Sequence, residues 1–114
     1  MENTIFDKII TKEIPSDIVY EDNSYLAFKD ANPQAPIHIL IIPKKRISTI
    51  NDLEESDRKV VSDMIFIAKD ITKSLNIENN GYRLVFNCNE DGGQSVYHIH
   101  LHLLAGRTLN WPPG

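Results

Sequence analysis

A chain of 114 residues, 41% apolar and 25% charged, has the size and balance of one globular domain, residues 1–114, with one modest core. Its formal net charge of -4 argues against a sequence-independent grip on a nucleic acid backbone, which needs an excess of lysine and arginine to release counterions. No run reaches membrane-spanning length, Cys88 is the sole cysteine, and the first residues carry neither the basic start nor the apolar stretch of a secretory signal, so a cytoplasmic protein with nuclear access open is expected, with no membrane or nucleic acid partner.

From the N-terminus, Ile5, Phe6, Ile9 and Ile10 fall at helical spacing within Ile5 to Ile14, and Pro15 stops the pattern. Three β-rich runs follow, Ile18 to Glu21, Tyr25 to Phe28 and Ile37 to Ile42, parted by Asp22-Asn23-Ser24 and by Asn32 to Pro36. They predict neighbouring antiparallel strands. Lys44-Lys45-Arg46 is the only basic cluster and reads as a solvated turn, short of the roughly five charges that mark a binding patch.

From about Asp52 the period changes: Val60, Val61, Met64, Ile65, Ile67, Ala68, Ile71 and Leu75 recur at steps of three and four, which predicts one long helix. It must end before Asn79-Asn80-Gly81. Two further strands are expected at Tyr82 to Asn87 and Tyr97 to Leu104, joined by a polar loop from Cys88 to Ser95, and the proline-bearing tail 110–114 is neither helix nor central strand. The sum is an α+β domain: a meandering antiparallel sheet, one long helix packed on it, and a short leading helix.

Three of the four histidines stand at His98, His100 and His102, alternating with Ile99, Leu101 and Leu103. In a strand such alternation puts the imidazoles on one face and the aliphatics on the other. A shared metal is the rival explanation. Strand rise places the Cα atoms of His98 and His102 roughly 13 Å apart, so at most two of the three reach one ion, with His38 and Cys88 as the other soft donors. No metal and no other cofactor is expected. A neutral imidazole that donates from one nitrogen to a fixed acceptor aims the other lone pair outward as a nucleophile, and the middle histidine is the natural candidate.

The run His98-Ile99-His100-Leu101-His102-Leu103-Leu104 resembles the signature of the histidine triad superfamily. Thr4-Ile5-Phe6, Lys12 to Pro15, Pro33 to Pro36, Ile42 to Lys45, Asp91 to Tyr97 and Trp111 to Gly114 are similar to the nucleotide-binding branch in particular, so that almost the whole chain is covered. The resemblance implies a five-stranded antiparallel sheet continued across a homodimer, and a purine nucleoside phosphoramidase that passes through a nucleotidyl-histidine at His100. The diadenosine polyphosphate branch fits less well, because Leu104-Ala105-Gly106-Arg107 stands where a Pro-Arg would follow the triad. A nucleotide-binding regulatory module with little turnover is the alternative from a different class.

The same resemblance distributes roles. His102 would donate to a phosphate oxygen, His38 would share in proton handling, and His98 would orient His100, its carbonyl being a candidate acceptor for the His100 proton. Ser95 would relay a proton to the departing amine, and Gly93 and Gln94 would contact the nucleotide, consistent with glycines that let backbone N–H groups turn toward an anion. Asp30 would bind the ribose and Asn87 would make a polar contact. Ile5, Phe6, Ile9, Phe28 and Leu40 would line the base, with Ala31 where a larger aliphatic residue is common. Trp111 either clamps the partner's site or packs the dimer edge.

Overall fold

Thr4 starts the first helix, and the computed structural model, which describes residues 3–114, shows why. The Thr4 hydroxyl accepts the Phe6 N–H, and the Asp7 carboxylate reaches back to the Thr4 N–H at 2.7 Å, a reciprocal cap that closes α1 (Ile5–Ile10). The helix ends four residues before Ile14, because Lys12 adopts φ 69° and turns the chain out of the helical path. Met1 and Glu2, the start of the segment inspected for a leader signal, lie outside the described residues.

Strands β1 (Ile18–Glu21), β2 (Tyr25–Lys29) and β3 (Ile37–Pro43) pair antiparallel in succession, as the β-rich runs and the turn residues between them predict. Beyond them the simple meander fails. β4 (Arg83–Phe86) lies at the sheet edge, and β5 (Leu101–Ala105) inserts between β3 and β4, giving the order β1-β2-β3-β5-β4. Burial accounts for the exchange: Leu101, Leu103 and Ala105 are sealed, which suits a central strand, whereas all of β4 is only half-buried.

β5 also begins four residues later than Tyr97. Pro43 closes β3 without an N–H to offer, its carbonyl is taken by the His98 side chain, and the Ile99 N–H turns to Ile47 O at 2.7 Å. His98 and His100 therefore stand on a segment that leads into the ladder, and only His102 lies within it.

The long helix α2 (Arg58–Ser74) follows two single 3-10 turns at Ile50–Asp52 and Glu55–Asp57, so the helical pattern expected from Asp52 becomes continuous only at Arg58. Its Met64, Ile67, Ala68 and Ile71 pack with Tyr25, Ala27, Ile39, Ile41, Leu101 and Leu103 on one sheet face. The opposite face holds Leu26, Phe28, Leu40 and Ile42 against Phe6 and Ile9 of α1. Along β3 and β5 the alternate positions His38 and His102 share that second face, so α1 and the histidines occupy the side away from α2. The loop after β4 contains one turn of helix, α3 (Asn89–Gly92), too short to register as a periodic pattern. No described helix is long and apolar enough to cross a membrane.

Candidate active site

Four histidines meet on the α1 side of the sheet, and their hydrogen bonds assign most of their protons. His98, fully buried, bonds through Nε2 to Pro43 O at 2.7 Å; since a carbonyl only accepts, Nε2 holds the proton. His100 Nδ1 lies 2.8 Å from the His98 carbonyl, so Nδ1 is the donor and the lone pair sits on Nε2. This is the acceptor anticipated for the His100 proton. Phe6 meets the His100 ring edge-on at 5.1 Å, and the His102 ring centre lies 4.9 Å from that of His100.

His38 and His102 are tied by the same logic. The Gln34 N–H donates to His38 Nδ1 at 3.0 Å, which leaves the proton of neutral His38 on Nε2. That N–H points to His102 Nδ1 at 2.9 Å, with Asp30 Oδ2 at 3.4 Å beside it. His102 consequently carries its own proton on Nε2, a buried donor with no partner among the described residues. An unmatched buried donor is costly and marks a place where a ligand acceptor is favoured.

Burial is the leading cause of depressed basicity in all four rings. It pushes His98 and His100 below the ordinary histidine range, with the bonds to Pro43 and to the His98 carbonyl opposing in part. His38 moves down by burial against the pull of Asp30. His102 falls to about 4, through burial and then through its neighbours His100 and His38. At neutral pH the cluster is uncharged, the state in which an imidazole keeps a lone pair for attack.

Phe6, Ile9, Phe28 and Leu40 form one apolar wall with Leu26 and Ile42, while Ile5 is half exposed and Ala31 lies on the exposed loop after β2. Asp30 is fixed by accepting the Asn32 N–H at 2.8 Å. A groove of about 660 Å³ runs past His38, His102, Gln34 and Asn87 and is lined also by Trp111 and Pro113 of the tail. Arg83 holds that tail through the carbonyls of Leu109 and Asn110, at 3.2 and 2.9 Å, and the Trp111 side chain stays largely exposed.

The Gly92-Gly93 turn departs from the expected anion cradle. The Gly93 N–H is taken by Glu90 O at 2.9 Å and the Gln94 N–H by Asn89 O at 3.0 Å, so neither is free. Gly93 sits at φ 80°, where it ends α3. The Gln94 side chain is buried and fully engaged: it accepts the Asn89 N–H and donates to Ser48 O and Val96 O. It holds the loop from which exposed Ser95 emerges.

Two residues near the histidines were missed by the sequence. Arg46 belongs to the cluster read as a solvated turn, yet Lys44 pairs with Glu21, Lys45 with Asp57, and Arg46 with Asp7 at 3.0 Å beneath α1. Asp7 itself faces His98, Oδ1 to Nδ1 3.9 Å. The only sequence signal for Asp7 is its place three residues after the capping Thr4.

A profile of the HIT domain matches residues 11–109 of the chain. The chain is 54% identical over 108 residues to a purine nucleoside phosphoramidase of Escherichia coli K12, covering 95% of this chain and 91% of that protein. It is likewise 54% identical over 113 residues to a 14 kDa zinc-binding protein of Zea mays, covering 97% and 88%. A HIT family hydrolase structure from Legionella pneumophila superposes with a TM-score of 0.96 at 53% identity, over 98% of this chain and all of that one.

The maize name raises zinc. Asp30, His38 and His102 each offer a donor atom within 4.8 Å of the others. They do not fit a resident zinc: His38 Nδ1 already accepts the Gln34 N–H, so Nε2 would ligate only by becoming an imidazolate or by losing that bond.

Proposed function

The chain belongs to the HIT domain family, and on that premise we propose that it is a purine nucleoside phosphoramidase acting through a nucleotidyl-histidine at His100. The carrying observation is the His100 tautomer: Nδ1–H is committed to the His98 carbonyl at 2.8 Å, which leaves the Nε2 lone pair of a neutral, buried ring as the nucleophile. That lone pair forms the bond to the α-phosphorus of an adenosine or guanosine phosphoramidate while the P–N bond breaks and its electron pair leaves with the amine. Ser95 hands the amine a proton. Water then attacks the phosphorus and gives up a proton that restores the Ser95 hydroxyl, His100 recovers its lone pair, and the nucleoside monophosphate departs.

His102 supports this chemistry as the unmatched Nε2–H donor, matched when a non-bridging phosphate oxygen arrives and rewarded further as charge builds there. His38 keeps His102 in that tautomer. Phe6, Ile9, Phe28 and Leu40, with the exposed Ile5 and Ala31, take the purine. Asp30 takes the ribose, and Asn87, Gly93 and Gln94 border the nucleotide. No cofactor enters the scheme.

The assembly we propose is a homodimer joined at β4. Of the two sheet edges, β1 carries a bulge between Ile18 and Tyr20 and the Lys12-Glu21-Lys44 charges, both of which deter pairing. β4 pairs with β5 without a bulge, and its one charged residue, Arg83, is engaged by the tail carbonyls of Leu109 and Asn110. Sedimentation equilibrium at twice the chain mass supports the dimer, and a monomer at micromolar concentration removes it. A cytoplasmic setting accords with a single, unpaired Cys88.

Single-turnover mass spectrometry with an adenosine phosphoramidate tests the chemistry. Wild type should acquire a nucleotidyl adduct that His100→Ala does not form. Turnover without any adduct, or full turnover by His100→Ala, would defeat the mechanism; binding without turnover would leave a nucleotide-binding regulatory module.

A further inference from the structure

His98 has two ring nitrogens with unequal fates. Nε2 donates to Pro43, whereas Nδ1, equally buried, has no hydrogen-bond partner among the described residues and faces Asp7 Oδ1 at 3.9 Å. A lone pair opposite a carboxylate is a site that attracts a proton, since an anion within about 4 to 6 Å favours the charged imidazole. Arg46 lies against the other carboxylate oxygen, Oδ2, at 3.0 Å, and its own Nε is buried without a partner among the described residues. Among the described residues, the charged and titratable groups around His98 are Asp7 from α1, Arg46 from the segment after β3, and His100 on its own segment. Phe6 closes the ring edge-on at 6.0 Å.

We propose that Asp7 and Arg46 are a positioning pair for the reaction at His100: Arg46 neutralises the carboxylate facing His98 Nδ1 and thereby keeps His98 an uncharged strut between Pro43 and the carbonyl that orients the nucleophile. The consequence for turnover rests on the phosphoramidase function proposed above, whereas the charge state of His98 does not. When His100 Nε2 bonds phosphorus with Nδ1 still protonated, its ring becomes cationic. A second cation two residues away would oppose that step and would also weaken the lone pair beforehand. Burial and Arg46 both disfavour a proton on His98, and Asp7 favours one, so the guanidinium decides how much of the carboxylate's pull His98 feels.

The test is a nitrogen-15 imidazole NMR titration with pH profiles of kcat/KM for wild type, Arg46→Met, Asp7→Asn, the double variant and Arg46→Lys. In Arg46→Met the His98 midpoint should rise by about one pH unit or more, and the acid limb of kcat/KM should rise with it. Removing the carboxylate as well, in Asp7→Asn/Arg46→Met, should cancel the rise, and Arg46→Lys should prevent it. A His98 midpoint unmoved in folded Arg46→Met, or a rise that survives in the double variant, overturns the proposal. Should Arg46→Met fail to fold, Asp7→Asn with Arg46 intact decides, because asparagine still offers an oxygen to the Thr4 N–H. Its His98 midpoint must fall, and an unchanged midpoint counts against the pair. If wild type hydrolyses no phosphoramidate, the NMR midpoints still decide whether Arg46 sets the charge state of His98.

Discussion

His38 Nε2 and His102 Nδ1 lie 2.9 Å apart, and a single proton occupies that gap. Because Gln34 N–H claims His38 Nδ1, the proton belongs to His38, and the whole tautomeric state of His102 is inherited from a backbone amide one strand away. Removing His38 releases His102 to hold its proton on either nitrogen. His38→Ala should lower kcat about 100-fold, the order expected when a hydrogen-bond donor loses its fixed protonation, and should give mixed His102 tautomers by NMR. An unchanged kcat would separate His38 from the chemistry.

The depressed histidines also set a pH dependence of folding. Each of His38, His98, His100 and His102 binds a proton less readily folded than unfolded, so below the unfolded value of about 6.5 the unfolded chain takes up more protons. Their contribution is complete above that value and is lost as pH falls toward the folded values, about 4 for His102. Asp57, held low mainly by Lys45, and Glu21, held low mainly by Lys12, give up theirs only at lower pH, as pH falls through their own folded values. The Tm should therefore decline steadily from pH 7 to 5, and less steeply in His102→Asn. A flat Tm across that interval would contradict the assigned neutral cluster.

How far the sequence reaches is clear from particular residues. Strands β1 to β3 are β-rich runs bounded by turn chemistry, and their ends fall within one residue of expectation. The α2 stripe is legible because Met64, Ile67, Ala68 and Ile71 answer to one face. Strand order is not legible, since alternation tells a strand which face to bury and not which neighbour to choose. The late start of β5 depends on Pro43 meeting His98, a contact across 55 residues. For the site, the histidine spacing singles out His100 as the candidate nucleophile, whereas the tautomers come from Gln34, Pro43 and the His98 backbone, which no side-chain pattern displays. The engagement of Arg46 with Asp7 is hidden for a like reason: a run of charges does not reveal its partners.

Gln94 shows how a residue beside a site serves by holding its frame. Its carboxamide satisfies Asn89 N–H, Ser48 O and Val96 O from a buried position. Truncation leaves one amide and two carbonyls unmatched, so Gln94→Ala should cost about 1 to 3 kcal/mol in urea denaturation and raise KM as the Ser95 loop loosens. Gln94→Glu should be worse than alanine at pH 7, because a carboxylate placed against two carbonyl oxygens can answer only the Asn89 N–H. Should Gln94→Glu match wild-type stability, the side chain must lie elsewhere in solution.

Two glycines with similar backbone angles should respond unequally to a methyl group. Gly93 has φ 80° and Gly106 has φ 95°, so alanine at either bears the left-handed penalty of about 1 to 2 kcal/mol. At Gly93 the new Cβ meets nothing within 4 Å, and that penalty is the whole cost. At Gly106 it would stand 2.8 Å from Pro36 Cβ and 3.2 Å from Pro36 Cγ, closer than carbon atoms approach. Proline has no rotamer by which to retreat, and Pro36 immediately precedes β3, where His38 is the second residue. Relief must come from moving the start of β3 or the end of β5, which are paired at Ile37 and Ala105. Gly106→Ala should thus be less stable than Gly93→Ala by about 1 to 3 kcal/mol in matched urea melts, the usual cost of overpacking. It should also lower kcat by displacing His38 from His102, while Gly93→Ala leaves the His38–His102 bond intact by NMR. Equal destabilisation of the two variants would show that the Gly106 turn yields without disturbing β3.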